Sequence, residues 1–231
     1  MKIGTNEELI KLKVMSELIP AILANSKQEF EEKLRVVEKL APTIQIDILD
    51  GTLFPFTNWH DAEAVAAMET SVAFELHLMV SNPLPIIAEW VAKVPNVKRA
   101  IIHAEIERPL GKILEEIHVT HLIEAGVAIN PETPLEEIHA VLPELDVLMI
   151  LGVHPGQSGQ KFEGDYIIEK IKNAKNRAPD LKIEVDGGVT AELIPNLQTA
   201  GVTRFAVTSA LFKAENKETA WKNLQDALLS P

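Results

Sequence analysis

The chain alternates short apolar runs with amphipathic helical stretches from one end to the other, and no other feature constrains its fold as much. Eight β-like runs lie at residues 18–24, 43–49, 71–80, 98–105, 124–130, 146–153, 182–187 and 204–212. Helical stretches at 26–40, 83–94, 164–178 and 217–229 lie between or after them, with apolar residues three and four positions apart. Strands that alternate with helices are typical of a parallel sheet, and eight such units predict an α/β protein with a (β/α)8, or TIM, barrel.

A doubly wound open sheet is the alternative fold. It needs fewer strands and usually has a glycine-rich loop after the first strand, whereas Ala24, Asn25 and Ser26 follow the first run here. No low-complexity linker divides the 231 residues. We therefore expect one barrel domain over 18–231, preceded by an N-terminal extension at 1–17.

Composition and charge exclude several kinds of site and partner. The chain has no cysteine, which rules out disulfides, thiolate metal ligands and a cysteine nucleophile. Its net charge of −12, without a lysine or arginine cluster, argues against a nucleic-acid partner. No apolar run approaches the roughly 20 residues that a membrane helix needs, so no membrane partner is expected. The first 17 residues carry both signs of charge and lack the apolar segment of a secretion signal, so we expect a cytoplasmic protein.

Four runs carry ionisable residues on the face that should point into the barrel. These residues are Asp47, His77, His103 and Asp186, each near the C-terminal end of its run, where barrels carry out chemistry. A lone inward histidine or aspartate is more often a satisfied core group, but an ionised carboxylate there needs a partner. Two carboxylates and an imidazole suit a divalent metal, and the carboxylates can act as general acid and base.

Small residues follow the last three runs, in the segments 152–162, 186–188 and 208–210. They allow backbone N–H groups to approach a phosphate closely, and this part of a barrel often holds one. The candidate phosphate ligands are Gly156, Gly159, Gly187, Gly188 and Ser209. Lys161 is a further candidate, although a solvated surface lysine explains it equally well.

These motifs resemble ribulose-phosphate 3-epimerase from about Leu18 to Lys213. The most specific pieces are IDILDG (46–51), ELHLMVSNP (75–83), IHAE (102–105), GVAINPETPLE (126–136), VHPGQSGQKF (153–162) and IEVDGG (183–188). The resemblance implies an isomerase that epimerises a phosphorylated ketose at carbon 3, converting D-ribulose 5-phosphate to D-xylulose 5-phosphate or acting on a close analogue. It also implies a homo-oligomer and a role in carbohydrate metabolism, in the pentose phosphate pathway.

The resemblance assigns roles to individual residues. Asp47 and Asp186 match the two carboxylates that remove a proton and return one to the opposite face. The same two residues, together with His77, match three ligands of a divalent cation (Zn, Fe, Mn or Co) that stabilises the ene-diolate. Met79 matches a methionine that shields this intermediate.

The sequence departs from the family pattern around the expected site. Gln45 stands where the family has a fourth metal ligand, a histidine, and Ala21 stands where it has a serine that contacts a substrate hydroxyl. A glutamine carbonyl oxygen can ligate a hard cation but is a poorer ligand for zinc or iron than imidazole. The remaining replacements are Leu49 and Leu151 for methionines, and Ser158 and Thr208 for phosphate-loop glycines.

Two other functions remain open beside the leading one. Gln45, Ala21 and Thr208 favour, as the alternative, a degenerate member that binds a sugar phosphate without standard epimerase activity. A related phosphate-binding barrel of the orotidine-phosphate decarboxylase or hexulose-phosphate synthase kind is less consistent with the sequence. That group has an Asp-x-Lys-x-x-Asp pattern, and no lysine stands between Asp47 and Asp50.

Overall fold

The computed structural model describes residues 16–229, and within this range eight parallel strands close into a barrel. The strands are β1 Glu17–Ile22, β2 Thr43–Leu49, β3 Ala73–Met79, β4 Val97–His103, β5 Glu124–Ile129, β6 Val147–Leu151, β7 Lys182–Asp186 and β8 Arg204–Val207. Each strand pairs with the next along the chain, and β8 closes the ring by pairing with β1. The predicted (β/α)8 barrel is therefore confirmed.

Helices cover the outside of the barrel. They are α1 Lys27–Val37, α2 Ala62–Ala66, α3 Pro83–Lys93, α4 Leu110–Glu116, α5 Asp165–Arg177, α6 Ile194–Ala200, α7 Ser209–Phe212 and α8 Lys217–Leu229. Two short 3-10 helices, Leu135–Ile138 and Leu142–Glu144, lie between β5 and β6 in place of an α-helix. No helix in the described range is both long enough and apolar enough to cross a membrane.

The sequence pattern of α1 explains how this helix begins and how it packs. The Ser26 hydroxyl accepts a hydrogen bond from the Glu29 backbone N–H (3.2 Å). The Glu29 carboxylate in turn accepts from the Asn25 N–H (2.8 Å), one residue earlier than in a standard capping box. Phe30 and Leu34 are buried on the face toward the barrel, as their helical spacing predicts.

The predicted extent of the last strand differs from the structure. The run at 204–212 was expected to be one strand, but β8 ends at Val207 and α7 begins at Ser209. Leu211 is fully buried in that helix, and a short apolar run does not by itself distinguish a buried strand from a buried helical turn. Most of the predicted N-terminal extension, 1–17, lies outside the described residues, although Glu17 already belongs to β1.

The N-terminal part of the barrel interior is filled by a network of charged side chains rather than by an apolar layer. Arg99 donates to Glu75, which is fully buried, and to Glu124 (2.7 Å). Arg204 also pairs with Glu124 (3.2 Å). Burial and the nearby Glu75 raise the pKa of Glu184 well above its ordinary value. The stability of the N-terminal end of the barrel therefore depends on the pairing of these buried charges.

Removal of one arginine tests this dependence. Arg99→Met leaves the buried Glu75 without its charged partner, so we expect the free energy of unfolding to fall by about 3–5 kcal/mol, measured by urea denaturation. Lys172→Met is the control, because it breaks only the exposed Lys172–Glu169 pair (2.7 Å) and should change stability much less. An equally small loss for both variants would show that the fold does not depend on the pairing of Arg99 with Glu75.

Candidate active site

Two carboxylates and an imidazole converge at the C-terminal end of the barrel. The Nδ1 atom of His77 lies 3.3 Å from Asp47 Oδ1 and 3.3 Å from Asp186 Oδ2. One potential ligand atom from each of the three residues falls within 4.8 Å of the others. The structure thus brings together the three residues to which the sequence assigned the chemistry.

Strand register and side-chain alternation produce this cluster. Asp47 on β2 lies directly beside His77 on β3 in the parallel ladder. Asp186 is the last residue of β7 and pairs with Ala206 of β8. The intervening Ile46, Ile48 and Leu76 point outward and are buried under the helices.

Gln45 is an integral part of this cluster. It is fully buried, and its amide nitrogen donates to Asp47 Oδ1 (2.7 Å) and to Asp186 Oδ2 (2.8 Å). The same nitrogen lies 3.3 Å from His77 Nδ1. Its carbonyl oxygen is buried and has no hydrogen-bond partner within the described part of the chain. The residue that departs from the family pattern therefore links the two aspartates directly.

His103 stands behind His77 and not against the carboxylates. The two Nε2 atoms are 3.0 Å apart, and the rings stack with centroids 5.1 Å apart. The other ring nitrogen of His103 lies 2.9 Å from Glu105 Oε2. Glu105 is itself held by Thr133 and by the Asn130 backbone N–H (2.8 Å). His103 thus fixes the orientation of the His77 ring, a role that the sequence did not distinguish from ligation.

The two histidines differ in their preferred protonation state. Burial lowers the pKa of His77, but its hydrogen bonds to Asp186 and Asp47 outweigh burial and raise that pKa to about 10. Burial lowers the pKa of His103, and its hydrogen bond to Glu105 does not offset that effect. Burial also raises the pKa of Asp47, despite its contacts with His77 and Gln45. Without a bound cation, a protonated His77 is therefore the counter-charge of the carboxylates.

The spacing of these groups also fits a divalent cation. Donor atoms about 2.0–2.2 Å from one octahedral or tetrahedral ion lie roughly 2.9–3.6 Å from one another. The two 3.3 Å separations from His77 Nδ1 fall in that range. Two carboxylates and one imidazole are a common donor set for such an ion. Asp47, His77 and Asp186 can therefore hold a metal without large movement.

A pocket opens over the cluster. Its walls come from the strand ends and from the loops that follow β6, β7 and β8. The lining includes all six residues that the sequence predicted to contact substrate: Met79, Gly156, Gly159, Gly187, Gly188 and Ser209. The nearly buried side chains of Leu49, Met79 and Leu151 form an apolar part of the wall.

The phosphate-loop replacements cause no backbone strain. Thr208 has φ −114°, and Ser158 is absent from the positive-φ residues within 16–229. The conformations that require glycine occur elsewhere, as at Gly188, where φ is +70° and a Cβ would lie 2.5 Å from the Phe162 backbone nitrogen. Ser158 and Thr208 therefore leave the backbone of these loops unstrained.

Lys213 is a residue of the site region that the sequence analysis missed. Its ammonium group packs against Gly159, in the space that a side chain at that position would fill. Lys213 and Lys161 line a second pocket, which shares Gly159, Gly188 and Ser209 with the first. The only sequence signal is a lysine directly after α7, too common a feature to single out.

A second group of potential ligands lies on the rim. His154 Nε2 is 2.8 Å from Glu132 Oε1 and 3.4 Å from Glu163 Oε1. The His154 and Glu132 side chains are 59% and 62% exposed, so water screens their interaction strongly. We assign no function to this group.

The contrast between the two buried histidines can be measured. In chelator-treated protein at pH 8, we expect ¹⁵N NMR to show an imidazolium at His77 and a neutral ring at His103, with His77→Gln used for assignment. Folding raises the pKa of His77 from 6.5 to about 10. Its contribution to stability is therefore complete below about pH 6.5 and is lost as the pH rises toward 10. A neutral His77 at pH 8 would contradict this electrostatic description.

Two known proteins are similar to this chain over most of its length. The ribulose-phosphate 3-epimerase of Bacillus subtilis (strain 168) is 32% identical over 217 residues, which cover 89% of this chain and 96% of that protein. The enzyme of the same name from Helicobacter pylori (strain J99 / ATCC 700824) is 29% identical, with 91% and 97% covered.

Solved structures extend the comparison of the fold. A 3-hexulose-6-phosphate synthase superimposes with a TM-score of 0.69, covering 91% of this chain and 99% of that one, at 16% identity. At this identity the likeness shows a shared barrel alone. The model of the ribulose-phosphate 3 epimerase family matches residues 17–212. This chain therefore belongs to the ribulose-phosphate 3-epimerase family, a family of isomerases.

Proposed function

We propose that this protein epimerises a phosphorylated ketose at carbon 3, interconverting D-ribulose 5-phosphate and D-xylulose 5-phosphate or close analogues. The observation that carries the proposal is the presence of Asp47 and Asp186, from separate strands, in the wall of one pocket. Inversion requires proton removal from one face of a carbon and proton delivery to the other. Two carboxyl groups that flank one bound sugar meet this requirement.

The surroundings of the two aspartates suit proton transfer. Burial raises the pKa of Asp47, which favours its protonated form and lets it donate a proton. The Gln45 amide contacts both carboxylates and holds them in a fixed relation. Either aspartate acts as the base, depending on which epimer binds, and the other then acts as the acid.

Negative charge that develops on the sugar oxygens needs stabilisation at the same place. A divalent cation (Zn, Fe, Mn or Co) held by Asp47, His77 and Asp186 supplies this stabilisation when it is bound. The chain of contacts from His77 through His103 to Glu105 orients the imidazole. The apolar wall of Leu49, Met79 and Leu151 limits access of water to the intermediate.

We assign the phosphate end of the substrate to the loops after β6, β7 and β8. Backbone N–H groups near Gly156, Gly159, Gly187, Gly188 and Ser209 provide donors there, and Lys213 adds a positive charge. Such a site agrees with an enzyme of the pentose phosphate pathway in the cytoplasm. As the family resemblance implies, we also expect a homo-oligomer.

Replacement of either aspartate tests the proton-transfer scheme. Asp47→Asn and Asp186→Asn should each lower kcat for ribulose 5-phosphate epimerisation by about 10³-fold or more, because inversion needs both groups. The assay follows xylulose 5-phosphate in the presence of Mn, Fe, Co or Zn. Asp50→Asn is the control, because Asp50 binds Thr52 (2.6 Å) outside the cluster.

Deuterium exchange sharpens this test. With one carboxylate replaced, the other can still remove and return a proton on its own face, so solvent deuterium should enter carbon 3 without inversion. If both variants keep turning over, the acid/base assignment is wrong. If the wild-type protein shows no turnover with any metal, but the sugar phosphate raises its Tm, the non-catalytic alternative is favoured.

The phosphate assignment is tested at Lys213. Lys213→Met should raise KM for the phosphorylated ketose by roughly tenfold while kcat changes little, because the lost charge binds substrate and transition state alike. Lys161→Met provides the control: Lys161 lines the same second pocket, but the ammonium group that packs against Gly159 is that of Lys213. An unchanged KM for Lys213→Met would restrict phosphate binding to the backbone groups.

A further inference from the structure

Gln45 differs from the other groups at the barrel mouth because rotation of its amide changes it from a donor to an acceptor. The nitrogen now faces Asp47 Oδ1 at 2.7 Å, Asp186 Oδ2 at 2.8 Å and His77 Nδ1 at 3.3 Å. These are the three atoms that can ligate a cation. The side chain is fully buried, so it has no alternative position in solvent.

The amide occupies a ligand position and not the position of the ion. An atom at the centre of the cluster would lie about 2.0–2.2 Å from each donor. The observed separations of 2.7, 2.8 and 3.3 Å are longer than that: the separation from His77 Nδ1 matches neighbouring donors of one ion, and those from the two aspartates are slightly shorter, as hydrogen bonds are. Gln45 therefore completes the donor set without blocking it.

The other end of the amide allows it to turn over. The Gln45 carbonyl oxygen is buried and, among residues 16–229, no group forms a hydrogen bond with it. A half-turn about the Cγ–Cδ bond exchanges Oε1 and Nε2. No hydrogen bond is lost at the oxygen end, but the two that the nitrogen donates to Asp47 and Asp186 are given up, and ligation of a cation must replace them. The oxygen then faces two carboxylates, which is unfavourable unless a positive charge lies between them. The orientation of the amide therefore depends on whether a cation is present.

We propose that Gln45 is the fourth ligand group of this site and that it shifts the site's preference from Zn²⁺ toward Mn²⁺. This inference rests on the metal site of the proposed function and deepens it. With its oxygen turned inward, Gln45 joins Asp47 and Asp186 to give three oxygen donors beside the single imidazole of His77. Carboxylate and carbonyl oxygens suit Mn²⁺, whereas imidazole suits Zn²⁺ and Fe²⁺. In the metal-free protein, the nitrogen turns inward and neutralises the carboxylates by hydrogen bonding.

Metal affinity, measured apart from turnover, tests the inference. The chelator-stripped full-length protein is titrated with MnCl₂ and with ZnCl₂ in competition with a metal-binding dye. Gln45→His exchanges the oxygen donor for an imidazole, and we expect it to raise the ratio of Zn²⁺ to Mn²⁺ affinity by roughly tenfold or more. Gln45→Glu is the matched control, because it keeps the side-chain length and an oxygen donor, and should leave that ratio within about threefold.

The possible outcomes separate this inference from the proposed function. If Gln45→His leaves the affinity ratio unchanged, or if Gln45→Glu changes it as much as Gln45→His does, the inference is overturned. If the wild-type protein binds neither metal at millimolar concentration, the inference fails as well. Epimerase turnover measured in the presence of chelator would then show whether the two aspartates catalyse the reaction without a metal. Thermal melts of each metal-free variant exclude misfolding as the cause of any lost affinity.

Discussion

The structure depends on the neutralisation of two carboxylates placed side by side away from bulk water. Asp47 and Asp186 both lie within 3.3 Å of His77 Nδ1 and within 2.8 Å of the Gln45 amide. Two carboxylates that share the same neighbours do not both remain ionised unless a protonated group, a hydrogen-bond donor or a cation lies beside them. This requirement explains why a protonated His77 and an inward-facing amide accompany the pair, and why a divalent cation fits there. The same arrangement supplies two groups ready to exchange protons with a bound sugar.

The two ends of the barrel solve the problem of buried charge in different ways. At the N-terminal end, Arg99 and Arg204 carry permanent charges and hold Glu75 and Glu124 in fixed pairs. At the C-terminal end no arginine or lysine contacts the aspartates within the described residues, and the counter-charge is a proton or an ion. Permanent pairing stabilises the fold, whereas removable counter-charges leave the aspartates free to react. The charged residues that stabilise the fold and those proposed to transfer protons thus lie at opposite ends of the barrel.

The alternation of apolar runs with helical stretches predicted the barrel, and side-chain alternation along single strands predicted the inward-facing Asp47, His77 and Asp186. Positions that depend on pairing between distant strands were not predictable in the same way. The side-chain period places His103 on the inward face, but only the register of β3 and β4 puts its ring behind His77. Likewise, the contact between Lys213 and Gly159 joins loops 54 positions apart. The sequence analysis extended β8 too far because an apolar residue such as Leu211 is expected to be buried in a strand and in a helical turn alike.

The departures from the family pattern differ in what they change. At the end proposed to bind phosphate, Thr208 keeps a negative φ, so its side chain leaves the backbone unstrained. At the chemical end, the side chain itself is the functional group. The Gln45 amide contacts both Asp47 and Asp186. Its nitrogen favours the metal-free cluster, and its oxygen favours a bound cation. Under the proposed function, the replacement at Gln45 therefore bears on which ion the site binds, while those at Ser158 and Thr208 leave the backbone of the proposed phosphate site unstrained.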